Sequence, residues 1–389
     1  MIQLSSRTAA FTDSVIRRMT RICTKYGAVN LSQGFPDFPP PKVILDRLHG
    51  VAENGPHQYS VTWGAQNTRE ALASKMMHDL NISVNPDQEL VITCGGTEAM
   101  MCAVMATLNR GDKVAIFSPF YENYGADCVL CDATPIYVPL HTPDFTFDVK
   151  ELEQAFKDGA KALILNNPSN PSGKVFSRDE LLTIASLVEK YNAFVITDDV
   201  YEHIIYEPYE HIYFATLPGM RERTVMCNSL SKTYSITGWR LGYVFSTPEV
   251  IDRVRKVHDF LTVGAAAPLQ EAIIAGLQMP QSYYQEIRET YTKKRTLFLN
   301  GLDNLGLEYF KPQGAYYVLV DIGEFGYDSD LEFCEDLASL VKVGAVPGSS
   351  FFNEPVNNYI RFHFAKTEET LNKALDNLSK LREKMKKRK

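Results

Sequence analysis

The stretch "NSLSKTYSITGWRLGY", residues 228–243, sets a single lysine, Lys232, among small hydroxyls: Ser229, Ser231, Thr233, Ser235 and Thr237. Arg240 follows shortly after. A solvated surface lysine needs no such company. A reacting lysine does, because hydroxyls and a planar guanidinium together make an anion-binding corner beside the amine. Three other stretches offer groups that could join it. "CGGTEAM" presents Gly96 and Thr97 as a helix begins, where free backbone N–H groups favour phosphate. "NNPSNPSG" fixes Asn170 in a turn-rich loop through its prolines. "TDDVYE" puts Asp198 at the end of an apolar run, with Tyr201 three residues on. Singly, each also reads as ordinary structure: a glycine turn, a plain loop, a capping aspartate.

Together they suit one cofactor, pyridoxal 5′-phosphate. A lysine amine condenses with its aldehyde. Its phosphate calls for arginine, hydroxyls and backbone N–H groups. Its ring nitrogen calls for a carboxylate that keeps it protonated, so that the ring draws electrons. A dry pocket and a nearby cation would lower the lysine pKa to suit nucleophilic and base chemistry. No metal is called for. The eight histidines form no HxxxH or HxH pattern, and the seven cysteines show no CxxC spacing. They read as buried thiols of a reducing cytoplasm.

Such groups need a scaffold. "ELVITCGG", "KVAIFSP", "ALILNNPSNPSG", "AFVITDD", "TVMCNSLSK" and "RLGYVFS" read as strands, interleaved with helices such as "RDELLTIASLVEKYN". Short apolar runs between helices predict an α/β fold with a mostly parallel, seven-stranded-type sheet flanked by helices. The polar clusters fall at the strands' carboxyl ends, where such sheets bind ligands. The C-terminal third differs: a charged helix near 281–304, "AYYVLVDI", a helix near 329–340, "YIRFHFA" and a final helix predict a smaller α+β domain. The expected organisation is an N-terminal segment, 1–45, joining that small domain, a large cofactor-binding domain, 46–280, and the small domain, 281–389.

Composition bounds the partners. The 389 residues carry a net charge of −7, with 45% apolar and 22% charged residues. This is ordinary for a globular chain and argues against nucleic acid or an anionic membrane as partner. The basic run "KMKKRK" reads as a frayed helix end, and the first nineteen residues lack a signal-peptide layout. A cytoplasmic location is expected. Without GxGxxG opening a strand–helix unit, a nicotinamide oxidoreductase is excluded.

The motifs "NPSNPSG", "TDDVYE" and "SLSKTYSITGWRLGY" resemble the class I/II aminotransferases among the fold-type I pyridoxal-phosphate enzymes, and the likeness runs along nearly the whole chain. "LSQGFPDFPPP" and "YIRFHFAKTEETL" look most like the kynurenine, glutamine and methionine transaminase branch. The resemblance implies pyridoxal phosphate as cofactor and assigns roles. Lys232 matches the Schiff-base lysine, and Asp198 the partner of the ring nitrogen. Ser229, Arg240, Gly96 and Thr97 match the phosphate ligands. Tyr201 and Asn170 match the donors to the ring hydroxyl oxygen. Tyr121 matches the aromatic that stacks on the ring, with Phe120 and Tyr124 close by as alternatives. Tyr59 matches a tyrosine reaching the neighbouring subunit's phosphate, which implies a homodimer with shared sites. Arg361 matches the residue gripping the substrate α-carboxylate, and Gly34 a backbone contact over the substrate.

The implied reaction moves an amino group from an L-amino acid to a 2-oxo acid by ping-pong steps. Aromatic amino acids, kynurenine, methionine or glutamine are favoured, because the sequence names no second cation for a distal carboxylate and sets Glu98 near the phosphate loop. Aspartate, alanine or diaminopimelate transamination, or C–S β-lyase chemistry, are the alternatives. A non-catalytic regulator would carry an added DNA-binding module, and none is legible.

Overall fold

The structure, a computed structural model, describes residues 13–385 and, ahead of them, positions 4, 8, 9 and 11. Most of the basic run at 384–389 lies outside the described residues.

Eight strands build the main sheet: β1 (Leu90–Thr93), β2 (Lys113–Ser118), β3 (Thr134–His141), β4 (Thr146–Phe147), β5 (Ala160–Asn166), β6 (Phe194–Asp198), β7 (Thr224–Ser229) and β8 (Gly242–Phe245). Their order is β1-β8-β7-β6-β5-β2-β3-β4. From β3 to β7 the neighbours run parallel, while β8 is antiparallel to both β1 and β7. The expected mostly parallel sheet is present, and the two-residue β4, antiparallel to β3, makes its eighth strand.

The short apolar runs are strands because both sheet faces are covered. Val114 and Ile116 pack with Cys102, Val104, Ile251 and Val254, from helices Gly96–Thr107 and Pro248–Thr262. Ala115 and Phe117 point the other way, onto Leu152, Phe156, Leu181 and Val188, from helices Val149–Lys157 and Arg178–Lys190. Alternate residues of one strand thus serve two cores. Each fully buried Val, Ile, Leu or Phe contributes about 1.5–3 kcal/mol. Helix Arg178–Lys190 begins with a capping box in which Ser177 and Glu180 satisfy each other's backbone N–H groups.

A smaller antiparallel sheet has the order β9 (Tyr309–Phe310), β10 (Tyr317–Asp321), β12 (Tyr359–His363), β11 (Val346–Pro347). The N-terminal segment joins it. Val29–Asn30 pairs in parallel with Val343–Gly344, and His363 N donates to the Leu31 carbonyl. The long helix Gln281–Asn304 falls where the sequence placed it. The helix expected near 329–340 is α-helical over Asp330–Asp336 and continues as a π turn, Leu337–Val341. Among the described residues no helix is long and apolar enough to cross a membrane.

Candidate active site

Three adjacent parallel strands end side by side. The ladder sets Asn166 of β5 opposite Asp198 of β6, and Asp198 opposite Cys227 of β7. Just past β7, Lys232 sits on the single turn Leu230–Thr233. These ends open into a cavity of about 450 Å³. Its walls include Gly34, Gly96, Thr97, Tyr121, Asn170, Asp198, Tyr201, Ser229, Lys232, Arg240 and Arg361. Eleven of the twelve residues singled out from the sequence therefore meet in one place. Tyr59 does not line this cavity, and it is 90% exposed.

Lys232 Nζ donates to the Gly34 carbonyl at 3.3 Å. Burial pushes its pKa down, and Arg240 and Arg361 push the same way against Tyr317 and Asp198. The amine is thus shifted toward the neutral form that a nucleophile or base needs. Gly34 must lack a side chain, because a Cβ there would run into the Tyr317 phenol.

Asp198 Oδ2 accepts the Tyr124 hydroxyl at 2.6 Å, and Oδ1 accepts Val200 N at 3.3 Å. Burial raises this carboxyl, opposed by those two bonds and by the charge of Lys232. Tyr124 is therefore committed to Asp198. Phe120 stacks on Tyr137 at 4.7 Å and is not part of the cavity wall. Tyr121 lines the wall and meets Tyr124 edge-on at 5.8 Å. Tyr201 Oη lies 2.9 Å from Tyr317 Oη.

The corner expected for a phosphate is assembled as follows. Gly95, at φ +84°, leaves no room for a Cβ beside the Arg240 guanidinium. Arg240 itself adopts left-handed backbone, φ 56° and ψ 58°, a strained conformation for a bulky residue that its surroundings must hold in place. Ser229 Oγ caps the Lys232 turn by accepting Ser231 N at 3.1 Å, and donates to the Leu241 carbonyl at 3.3 Å. Ser231 Oγ is buried, has no partner among the described residues and belongs to the same cavity wall. An orphaned buried hydroxyl is costly unless a ligand takes it up. With Thr97, Arg240 and the amides that open helix Gly96–Thr107, it makes a donor set that fits a phosphate.

At the opposite wall Arg361 is 1% exposed. Its Nη1 donates to Asn170 Oδ1 at 2.6 Å and its Nη2 to the Ser32 carbonyl at 2.9 Å. Tyr317 and Phe351 sandwich the guanidinium at 4.2 and 4.5 Å. Its Nε is buried and has no partner among the described residues. Asn166, an unremarked neighbour of Asn170 in sequence, donates through Nδ2 to the Asp198 carbonyl at 2.8 Å and accepts Asn170 N at 2.7 Å.

The wall residues that sequence reasoning missed include Arg17, Glu122, Asp127, Asn166 and Tyr317. Arg17 is a further cation on the wall, beside Lys232, Arg240 and Arg361; it is exposed, and among the described residues its guanidinium has no hydrogen-bond or ion-pair partner. Glu122 accepts Ser14 Oγ at 2.5 Å, and its charge reaches Arg361. The signal for Arg17 was weak, since a lone arginine on an amphipathic helix reads as a solvated face. Glu98 does not line the cavity: it pairs with His258 beneath the phosphate corner.

This fold and this constellation define an aminotransferase. Residues 26–378 match the class I and II aminotransferase family, and the chain belongs to it, within the fold-type I enzymes. It is 34% identical to a kynurenine–oxoglutarate transaminase of Dictyostelium discoideum, over 97% of this chain and 96% of that one. A solved methionine aminotransferase of Escherichia coli matches with TM-score 0.93 and 32% identity, over 98% of this chain and 100% of the other. A solved N-succinyldiaminopimelate aminotransferase of Mycobacterium tuberculosis matches with TM-score 0.94 and 33% identity, over 97% and 100%. The three are named for different amino compounds, and all three are named as aminotransferases or transaminases.

Proposed function

We propose that the chain binds pyridoxal 5′-phosphate in this cavity and uses it to transaminate L-amino acids with aromatic or neutral side chains, kynurenine, methionine and glutamine among them. The observation that carries this reading is the convergence of Lys232, Asp198 and Arg361 on one cavity that also holds an orphaned phosphate-type donor. When bound, the cofactor supplies an electron-accepting ring that makes the substrate's α-proton acidic. Lys232 Nζ takes that proton and later returns it, base and then acid. Asp198 provides the carboxylate for the ring nitrogen, oriented by Tyr124 Oη. Ser229, Ser231, Thr97 and Arg240 hold the phosphate. Tyr201 and Asn170 serve the ring hydroxyl side, and Tyr121 the ring face. Arg361 grips the α-carboxylate, and the Tyr317 and Phe351 rings keep its plane fixed.

The side-chain preference draws support from Glu122, whose charge on the cavity wall would repel a distal carboxylate. Arg17 favours a second reading, in which an acidic side chain pairs with it, as in aspartate or diaminopimelate-type transamination. The experiment compares kcat/KM for phenylalanine, kynurenine, methionine and aspartate with one shared 2-oxo acid. Aspartate is expected to trail the others, and an aspartate lead would favour the second reading. Product formation without any 2-oxo acid would instead indicate β-lyase chemistry.

A second copy of the chain completes this reading. Exposed Tyr59 and Val61 share a segment with Thr62, which meets His258 on the helix that ends near exposed Phe260, Leu261 and Val263. Such an apolar patch suits a homodimer in which Tyr59 reaches the neighbour's phosphate. A chain that sediments as a monomer while transaminating at full rate would end that idea.

A further inference from the structure

Beneath the phosphate corner lies a buried pair that no step above uses. Glu98 occupies the first turn of helix Gly96–Thr107. Its Oε2 accepts Cys94 N at 2.5 Å. Its Oε1 accepts Thr262 Oγ1 at 2.7 Å and lies 2.8 Å from His258 Nδ1. His258 Nε2 lies 2.8 Å from the Thr62 carbonyl oxygen, which can only accept, so Nε2 carries a proton. Both side chains are buried. Burial alone would push the imidazole down, but its hydrogen bond to Glu98 and the carboxylate's charge outweigh this and raise it. Burial likewise opposes Glu98, yet the bond to His258 and the imidazole's charge leave it lowered. The other titratable groups in electrical reach are Cys94, Cys102 and Asp259, with Arg240 acting on Cys94. Glu98, Cys102 and His258 also bring ligand atoms within 4.8 Å of one another. Both Glu98 oxygens and both His258 nitrogens already have partners, so the arrangement is a charge pair and not a metal centre.

A carboxylate in the first turn stands close to where a phosphate would sit, and like charges there repel. An imidazolium against it cancels that charge. The same imidazole ties the segment of Tyr59 and Thr62 to the cradle. We propose that Glu98 and His258 are positioning residues for the phosphate end of the cofactor: Glu98 holds the Cys94–Gly95 turn so that the helix's first amides face the cavity, and His258 neutralises Glu98. This rests on the reading that a phosphate occupies that corner.

The test uses the full chain freed of cofactor. Dissociation constants are measured for pyridoxal 5′-phosphate, for pyridoxal, which lacks the phosphate, and for sulfate by competition. In His258→Gln the preference for the phosphorylated form should drop about tenfold, the scale of one uncancelled neighbouring charge. Sulfate should weaken alongside. Glu98→Gln keeps an acceptor for Cys94 N but no charge, so the preference should hold. The double variant should regain most of what His258→Gln loses. Should His258→Gln not fold, the wild type carries the test: sulfate binding must weaken as pH rises through the imidazole's range, and Glu98→Gln must remove that step. Equal losses for both pyridoxal forms, or no change in preference, would overturn the proposal. A wild type that does not prefer the phosphorylated form would instead sink the phosphate reading itself.

Discussion

The two walls of the cavity are built in different ways. The inner wall is one structural unit. Asn166, Asp198 and Ser229 end adjacent strands of a single ladder, and Lys232 follows within one turn. The outer wall is gathered from both ends of the chain: Gly34 and Arg17 from the N-terminal segment, Tyr317 and Arg361 from β10 and β12 of the small sheet. The inner wall keeps its unpaired groups, Ser231 Oγ and Asp127 Oδ2, buried, whereas the outer wall carries at Arg17 an exposed guanidinium that has no partner among the described residues. The contrast separates two jobs. On the proposed function, reaction type would belong to the ladder, and the choice of side chain to outer-wall residues such as Arg17, with Arg361 serving every substrate.

If that division holds, inner-wall changes should abolish the reaction for every substrate. Lys232→Ala is expected to lower keto-acid formation by about four orders of magnitude while the cofactor, held through the phosphate corner, stays bound. Borohydride treatment of the wild type should fix the cofactor to the peptide that contains Lys232. Label on Lys174 or Lys256 would show that the inner wall has been misassigned.

Arg361→Lys probes the join between the walls. A lysine keeps the charge but loses the planar fork and the stacking on Tyr317 and Phe351. The loss should be about tenfold to a hundredfold in kcat/KM, with KM raised and kcat lowered. It should be similar for phenylalanine, methionine and aspartate, since all share the α-carboxylate. A loss confined to aspartate would place Arg361 in side-chain recognition and blur the comparison.

The same division explains what could be read from the sequence. Strand ends announce themselves, because an apolar run that stops at Asp198 or in "NNPSNPSG" marks both the sheet and its ligand edge. Arg361 and Gly34 carry no such mark. They stood out only through resemblance to a family, since the fold that brings them together is not local. Arg17 escaped for the same reason. The longest main-sheet strand, Thr134–His141, was also passed over, because Pro135 and Pro139 punctuate it. The prolines are tolerated because the strand lies next to the sheet edge: β4 pairs with Leu140 and His141, and among the described residues the rest of that side has no strand neighbour.

The smallest expected effect concerns Asp127, one helical turn beyond Tyr124 on the inner wall. Its Oδ2 is buried and has no partner among the described residues. Burial first, and then the charge of Asp198, push its carboxyl up to about 7. An unfolded chain would hold this group near the ordinary carboxylate value of about 3.9. Between those values the folded chain binds a proton that the unfolded chain has lost. Folding stability therefore falls as pH rises from about 4 to about 7, and this contribution is flat above. Asp127→Asn removes the dependence. The cofactor-free variant should melt a few degrees above wild type at pH 8, and the gap should shrink at pH 5.5. Thermal unfolding of both proteins at the two pH values reads this directly. A gap that is the same at both would mean that Asp127 ionises in the ordinary range, and that the inner wall carries two negative charges where a protonated ring nitrogen needs only one.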